Sequence, residues 1–183
     1  VKYEIVSMIK IKEIDGINVM ISSILDIGRT EGAQFEQAKN IDLVEFIKYK
    51  TNDYNMLAAK KSITIKFSSN VSSLQMMIQE TLFNQILQNF VQNAIKFTPN
   101  GKTIKIKLKK IDDKVTLNVI DEGIGIDENI DVFAPFKKVG KENGVGLGLY
   151  LAKIASDALN AKISIKNRED GKNGAIAKLE LNL

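Results

Sequence analysis

A chain of 183 residues with 44% hydrophobic and 26% charged content has the make-up of one ordinary globular domain plus a short appendage. With no cysteine it has no disulfide, thiolate nucleophile or cysteine-held zinc, and no apolar run approaches the length of a membrane span. The net charge of +4 is almost all lysine, with Arg29 and Arg168 the only arginines, which argues against a nucleic-acid surface built on arginine and stacking aromatics. A start at Val1, with no secretory signal, reads as a cytoplasmic piece cut from a larger protein, whose other parts are free to include membrane segments.

From Tyr3 to about Arg29 apolar residues recur at helical spacing, ending in the series Ile14, Ile17, Ile21, Ile24 and Ile27. Gly28 and Gly32 flank the expected end of this helix. At 1.5 Å per residue it would be roughly 40 Å long, which calls for a bundle or dimer partner rather than its own domain. A second helix is expected over 42–59, with Asp42 as N-cap and Leu43, Phe46, Ile47 and Leu57 buried. Ser62–Phe67 alternates as a strand, and Leu74–Ile78 is a short apolar one.

A helix starting near Glu80 carries Leu82, Phe83, Ile86, Leu87, Phe90, Ala94 and Ile95 at helical spacing, and Thr98-Pro99-Asn100-Gly101 stops it. Strands near 103–110 and 114–121 are joined by an Asp112-Asp113 turn. The lysines that alternate with Ile104, Ile106 and Leu108 read as the wet face of a half-buried strand. Segment 122–144 is polar and glycine-rich with a short Ile130–Phe136 turn, residues 146–159 form a helix, and strands near 161–167 and 175–183 close the chain.

Three stretches carry chemistry. Asn89 and Asn93 lie four apart on one helix, so both project from one face, with Lys96 a turn further on. Asparagine is a poor helix-interior residue, so two on one face need partners or solvent. An amide oxygen is a hard ligand suited to Mg²⁺, and a nearby lysine would screen phosphate charge. Asp121 ends a strand and is followed by Gly123, Gly125 and Ile126. A carboxylate there can accept from an exocyclic amine while the glycines admit a flat ring, although a simple turn needs no ligand. Gly144-Val-Gly146-Leu147-Gly148-Leu runs straight into a helix whose free amides make an anion site. Two better-known phosphate loops are excluded: there is no Gly-x-x-x-x-Gly-Lys-Ser/Thr, and Leu149 stands where a dinucleotide fingerprint has its third glycine.

In their joint order, Asn89-x-x-x-Asn93-Ala-x-Lys96, Asp121-x-Gly123-x-Gly125, Phe133-Ala-Pro-Phe136 and Gly144-x-Gly146-Leu-Gly148-Leu resemble the N, G1, F and G2 boxes of sensor histidine kinases of two-component systems. The resemblance covers about residues 35–183. Ile24-Leu-Asp-Ile-Gly-Arg29 likewise resembles the end of the second helix of that family's dimerisation and phosphotransfer hairpin, so residues 1–34 would be its tail. The fold implied is the Bergerat or GHKL type, an α/β (α+β) two-layer sandwich with a mixed sheet covered on one face by helices, preceded by the long N-terminal helix.

The resemblance also implies roles. Asn93 would bind Mg²⁺, Asn89 would lie beside the phosphates and the incoming acceptor, and Lys96 would contact phosphate. Phe97 would flank the ATP, Asp121 would recognise the adenine amine, and Gly123, Gly125 and Ile126 would line the base. Phe136 and Lys138 would belong to the lid, and Gly144, Gly146, Leu147 and Gly148 would wrap the phosphates. The implied partners are the histidine-bearing phosphotransfer helix of the parent kinase, a response regulator, and a second copy joined through the N-terminal helix, with no nucleic acid.

Three positions depart from the family pattern. Ala134 stands at a usual Glu, Lys138 at a usual Arg, which keeps charge but loses the fork, and Val145 at a usual Thr or Ser. The chain has no histidine, so the phosphate acceptor is expected outside it. The enzymatic rival is a hydrolytic ATPase of the Hsp90, gyrase or MutL kind, in which a Glu four residues before the metal-binding Asn serves as base. Here that place is Asn89, which is no base, and a neutral imidazole acceptor needs none. The non-enzymatic rival is a pseudokinase that acts as a binding module without transfer.

Overall fold

The computed structural model of the protein describes residues 36–137 and 146–183, together with Gly28 and Gly32. The helix expected over about residues 3–29, with its apolar series and the dimer contact expected of it, falls outside the described residues, Gly28 apart. Gly28 and Gly32, expected to flank its end, both have helical backbone. Glycine disfavours a helix by about 1 kcal/mol without forbidding one, so as a stop sign it is weaker than proline.

In chain order the elements are β1 (Lys39–Asp42), α1 (Leu43–Ala58) with a 3₁₀ turn at Ala59–Lys61, β2 (Thr64–Ser69), β3 (Gln75–Ile78), α2 (Glu80–Phe97), β4 (Thr103–Ile111), β5 (Lys114–Ile120), α3 (Gly148–Ala158), β6 (Lys162–Asn167) and β7 (Ala175–Asn182). Five strands form one sheet in the order β2-β4-β5-β7-β6. Only β2 and β4 run parallel, so the sheet is mixed. β1 and β3 pair separately as an antiparallel ribbon.

Alternation fixes which sheet face is dry. Ile104, Ile106, Leu108, Val115, Leu117, Val119, Leu179 and Leu181 point inward and are buried, while Lys105 and Lys109 stay in water. The inner face meets α1 and α2 through Leu43, Ile47, Leu82, Phe83, Ile86, Leu87 and Phe90, and α3 packs on α2. The result is the expected two-layer sandwich.

Asp42 caps α1 as expected, its Oδ1 accepting from Val44 N at 2.9 Å and Glu45 N at 3.3 Å. It also accepts from Leu74 N at 3.2 Å, which ties the start of α1 to the β3 side of the ribbon. Leu57, expected in the core, is instead 57% exposed. The buried stripe of α1 runs through Leu43, Val44, Ile47, Thr51, Tyr54 and Ala58, and Leu57 falls off it.

Candidate functional site

A cavity of about 330 Å³ opens between α2, the segment after β5 and the start of α3, within the range of small-molecule pockets. Asn89, Asn93, Lys96 and Phe97 line it from α2, Asp121, Gly125 and Ile126 from the segment after β5, and Gly146, Leu147 and Gly148 from the approach to α3. Residues as distant in sequence as Asn89 and Gly148 are thereby brought onto one hollow. Gly123 and Phe136 are not among the lining residues. Gly123 packs beneath the Phe97 carbonyl, which a Cβ at 123 would meet at 2.8 Å. Phe136 is exposed, with its backbone left-handed at φ 60°. Lys138, Gly144 and Val145 lie outside the described residues.

The α2 wall follows from the apolar stripe on its other side. Burying Leu82, Phe83, Ile86, Leu87 and Phe90 turns the asparagine face toward the cavity. Asn89 is buried, and its Nδ2 donates to the Gln85 carbonyl at 2.9 Å. Its Oδ1 faces Gly148, where a Cβ would lie only 2.7 Å from it. Asn93, one turn on, is half-buried in the lining, and its side chain has no partner among the described residues. Lys96 Nζ lies 5.0 Å over the Phe97 ring. Lys61 Nζ donates to the carbonyls of Ile95 and Lys96, both at 2.9 Å, and so answers two of the orphan acceptors at the end of α2.

Asp121 sits at the far end of the cavity and is 8% exposed. Its Oδ1 accepts from Gly123 N at 2.8 Å and Ala175 N at 3.0 Å. Burial pushes its carboxyl above the usual range, against the pull of those two amides and of the Arg168 guanidinium. Its Oδ2 meets no donor among the described residues, yet it is not sealed from solvent. One oxygen is thus fixed by the fold and the other is open to the cavity.

Opposite, α3 begins at Gly148 with Leu147 as N-cap and no side-chain cap. The first-turn amides are therefore left without a side-chain acceptor at the positive end of the helix dipole. Gly146, at φ 77°, is left-handed and backs onto the Lys137 carbonyl.

The sequence reading overlooked the cavity floor. Val119, Leu151, Ile165, Ala175 and Ala177 supply it, with Ile130, Val132 and Lys137 at the side. The available signal was the inner row of β7, which shrinks from Leu181 and Leu179 to Ala177 and Ala175 and leaves room at one end.

A mixed sheet with helices on one face and an asparagine-lined cavity between helix and strand end defines an α/β domain built for an anionic small molecule. The chain belongs to the histidine kinase-, DNA gyrase B-, and HSP90-like ATPase family, whose model matches residues 78–183, and it is a catalytic domain of the sensor-histidine-kinase type. It is 30% identical over 171 residues to the sensor protein KdpD of Clostridium acetobutylicum, covering 88% of this chain and 18% of that one. The chain thus spans about a fifth of the curated relatives it matches. Among solved structures it is similar to the catalytic domain of histidine kinase ThkA, at 30% identity and a TM-score of 0.72, covering 80% of this chain and 95% of that one. The fold is also that of full-length ShkA in complex with AMPPNP, at 24% identity and a TM-score of 0.78, over 91% of this chain and 36% of that one.

Proposed function

We propose that this chain binds ATP with Mg²⁺ and transfers the γ-phosphoryl group to a histidine located outside it, in two-component signalling. The bond from the γ-phosphorus to the bridging oxygen breaks, a phosphorus–nitrogen bond to the imidazole forms, and ADP leaves. The observation that carries this reading is the polarity of the cavity. One open carboxylate oxygen, on Asp121, lies at one end, with asparagine amides and uncapped helix amides at the other. The adenine amine would donate to Asp121 Oδ2, and the phosphates would lie toward Lys96, Gly146 and Gly148.

The residues present fit Mg²⁺. Among the described residues no group of three or more His, Cys, Asp or Glu side chains could hold a metal. Asn93 offers an amide without a partner, which suits a cation that takes its remaining ligands from phosphate oxygens and water. Bound there, Mg²⁺ would supply neutralisation of charge on the phosphates. The chain's own part is positioning: Asp121 orients the base, the α3 amides and Lys96 hold the phosphates, and Asn89 lies beside them. Asn89 spends its Nδ2 on the Gln85 carbonyl and has no basic atom, so it gives water no general base. That disfavours hydrolysis and favours an acceptor with its own lone pair.

The domain division belongs to the same reading, with residues 1–34 as the end of a dimerisation and phosphotransfer hairpin and 35–183 as the catalytic domain. The partners would be the histidine-bearing helix, a response regulator and a second copy. No described helix is long and apolar enough to cross a membrane, and a cytoplasmic site of action is part of the proposal.

The test is transfer from γ-labelled ATP with Mg²⁺ to a separately supplied histidine phosphotransfer domain. Label on the histidine is the expected outcome. Label that stays on tightly bound ATP would leave only a nucleotide-binding module. Asn93→Ala should abolish transfer while weakening Mg²⁺-free nucleotide binding far less, and equal loss of both would remove its assignment as metal ligand.

A further inference from the structure

The segment Asp121–Ile126 has no helix or strand of its own, yet it must present Asp121 Oδ2, Gly125 and Ile126 to the cavity in one shape. Its two ends are held from one place, the strand end and turn that leave β6. Asn167 Oδ1 accepts from Ile126 N at 2.7 Å while Asn167 Nδ2 donates to Ile126 O at 2.9 Å. One amide side chain thus answers both polar groups of one backbone residue, as a neighbouring strand would. The same Nδ2 lies 3.2 Å from Glu128 Oε1.

Arg168 Nη1 donates to the Asp121 carbonyl at 3.1 Å. Its Nε is held 3.0 Å from Asp170 Oδ1, its Nη2 bonds the second Asp170 oxygen, and the side chain is 7% exposed. The fork keeps the Asp170 carboxyl down at about 2, well below the usual carboxylate range. Space is also matched to this clamp: a Cβ at Gly125 would run into Asn167 Oδ1, and one at Gly174 into the Asp121 carbonyl. Neither Asn167 nor Arg168 lines the cavity of the nucleotide site. Their bonds are to the backbone of the loop.

We propose that Asn167 and Arg168 are positioning residues that set the affinity and selectivity for the base by clamping Ile126 and the Asp121 carbonyl to the end of β6. The proposal rests on the reading of this cavity as an ATP site. With the clamp gone, Asp121 Oδ1 keeps its bonds to Gly123 N and Ala175 N, but Gly125 and Ile126 lose the fixed place that seats adenine with its 6-amine against Oδ2. The phosphate end, built from α2 and α3, is untouched.

The experiment compares ATP and GTP binding by wild type, Asn167→Ala and Arg168→Lys, with transfer to a supplied histidine domain measured at saturating ATP. Asn167→Ala should weaken ATP about ten-fold, leave GTP almost unchanged, and so flatten the preference, with the transfer rate at saturation retained. Arg168→Lys, which keeps charge and stem but loses the fork, should act in the same direction and carries the test if Asn167→Ala does not fold. Unchanged ATP affinity in the folded variants would overturn the proposal, and so would equal loss of ATP and GTP, which marks general collapse. A wild-type chain that binds neither nucleotide would instead remove the nucleotide reading beneath it, and one that binds ATP and GTP alike would overturn the proposal, because there would be no base selectivity for the clamp to set.

Discussion

Asp121 Oδ1 accepts the backbone amide of Ala175 at 3.0 Å, across 54 residues of chain, while Ala175 returns its carbonyl to Asp121 N at the same distance. This pair continues the β5–β7 ladder by one step and locks the carboxylate at the strand end. Burial disfavours the charged form there. Asp121→Asn keeps an acceptor for Ala175 N but loses the charge, so ATP binding should weaken by about ten- to a hundred-fold, as for loss of a charge-assisted bond of about 1.5–3 kcal/mol. Titration of ATP into the variant measures this.

The same shift has a stability sign. Because the folded Asp121 carboxyl titrates above its ordinary value of 3.8, the fold holds its proton longer than the unfolded chain does. Its contribution therefore falls as pH rises from the unfolded value through the raised folded one. Without nucleotide, Asp121→Asn should melt higher than wild type at neutral pH, and the gain should vanish below about 3.8. Melting curves across that window check it, and a variant less stable at neutral pH would contradict the assignment of burial as the dominant cause.

Gly148→Ala tests the contact between α2 and the start of α3. The new Cβ would lie 2.7 Å from Asn89 Oδ1, and Asn89 is buried and tied to Gln85. The asparagine must move, but alanine favours the helix by about 0.8–1.0 kcal/mol over glycine, which offsets part of the strain. We expect a melting temperature within a few degrees of wild type, since about 1 kcal/mol corresponds to a few degrees in a domain of this size. The transfer rate should fall by at least about ten-fold.

Thr98 is fully buried where α2 ends, and its hydroxyl has no hydrogen-bond partner among the described residues. A buried, unanswered hydroxyl costs about 1–3 kcal/mol, and valine has the same shape without it. Thr98→Val should raise stability by about 1 kcal/mol in denaturant unfolding. A loss of stability would mean that the hydroxyl is answered by something other than protein atoms.

The parts of this fold written in local patterns were legible. The apolar stripe of α2, the Asp42 cap and the inward alternation of β4 and β5 each follow from neighbours three, four or two residues away. What failed to show depends on distant pairing. The four residues of β1 have no strong alternation and become a strand only against β3. The parallel match of β2 to β4 is set by α2 crossing over between them. The site divides the same way. Asn89, Asn93 and Asp121 stood out as polar residues in apolar settings, whereas Asn167 and Arg168 are ordinary turn residues until the fold brings Ile126 and Asp121 against them.

The floor of the cavity offers a test that separates binding from folding. Ala177 lies on the inner row of β7 beside Val119, with Leu179 and Leu181 continuing the row into the packed core. It lines the cavity together with Asp121, and its small methyl leaves volume that a larger side chain would fill. Ala177→Leu should put three more carbons into that space, where they replace solvent and gain apolar contact at about 0.8 kcal/mol per methylene buried. The chain without nucleotide should hold or gain stability, because the added bulk enters an existing hollow and does not displace packed side chains. ATP binding should fall at least ten-fold, because the base loses its seat. Melting and ATP titration on the same preparation distinguish the outcomes. A destabilised variant that still binds ATP normally would place the base elsewhere in the molecule.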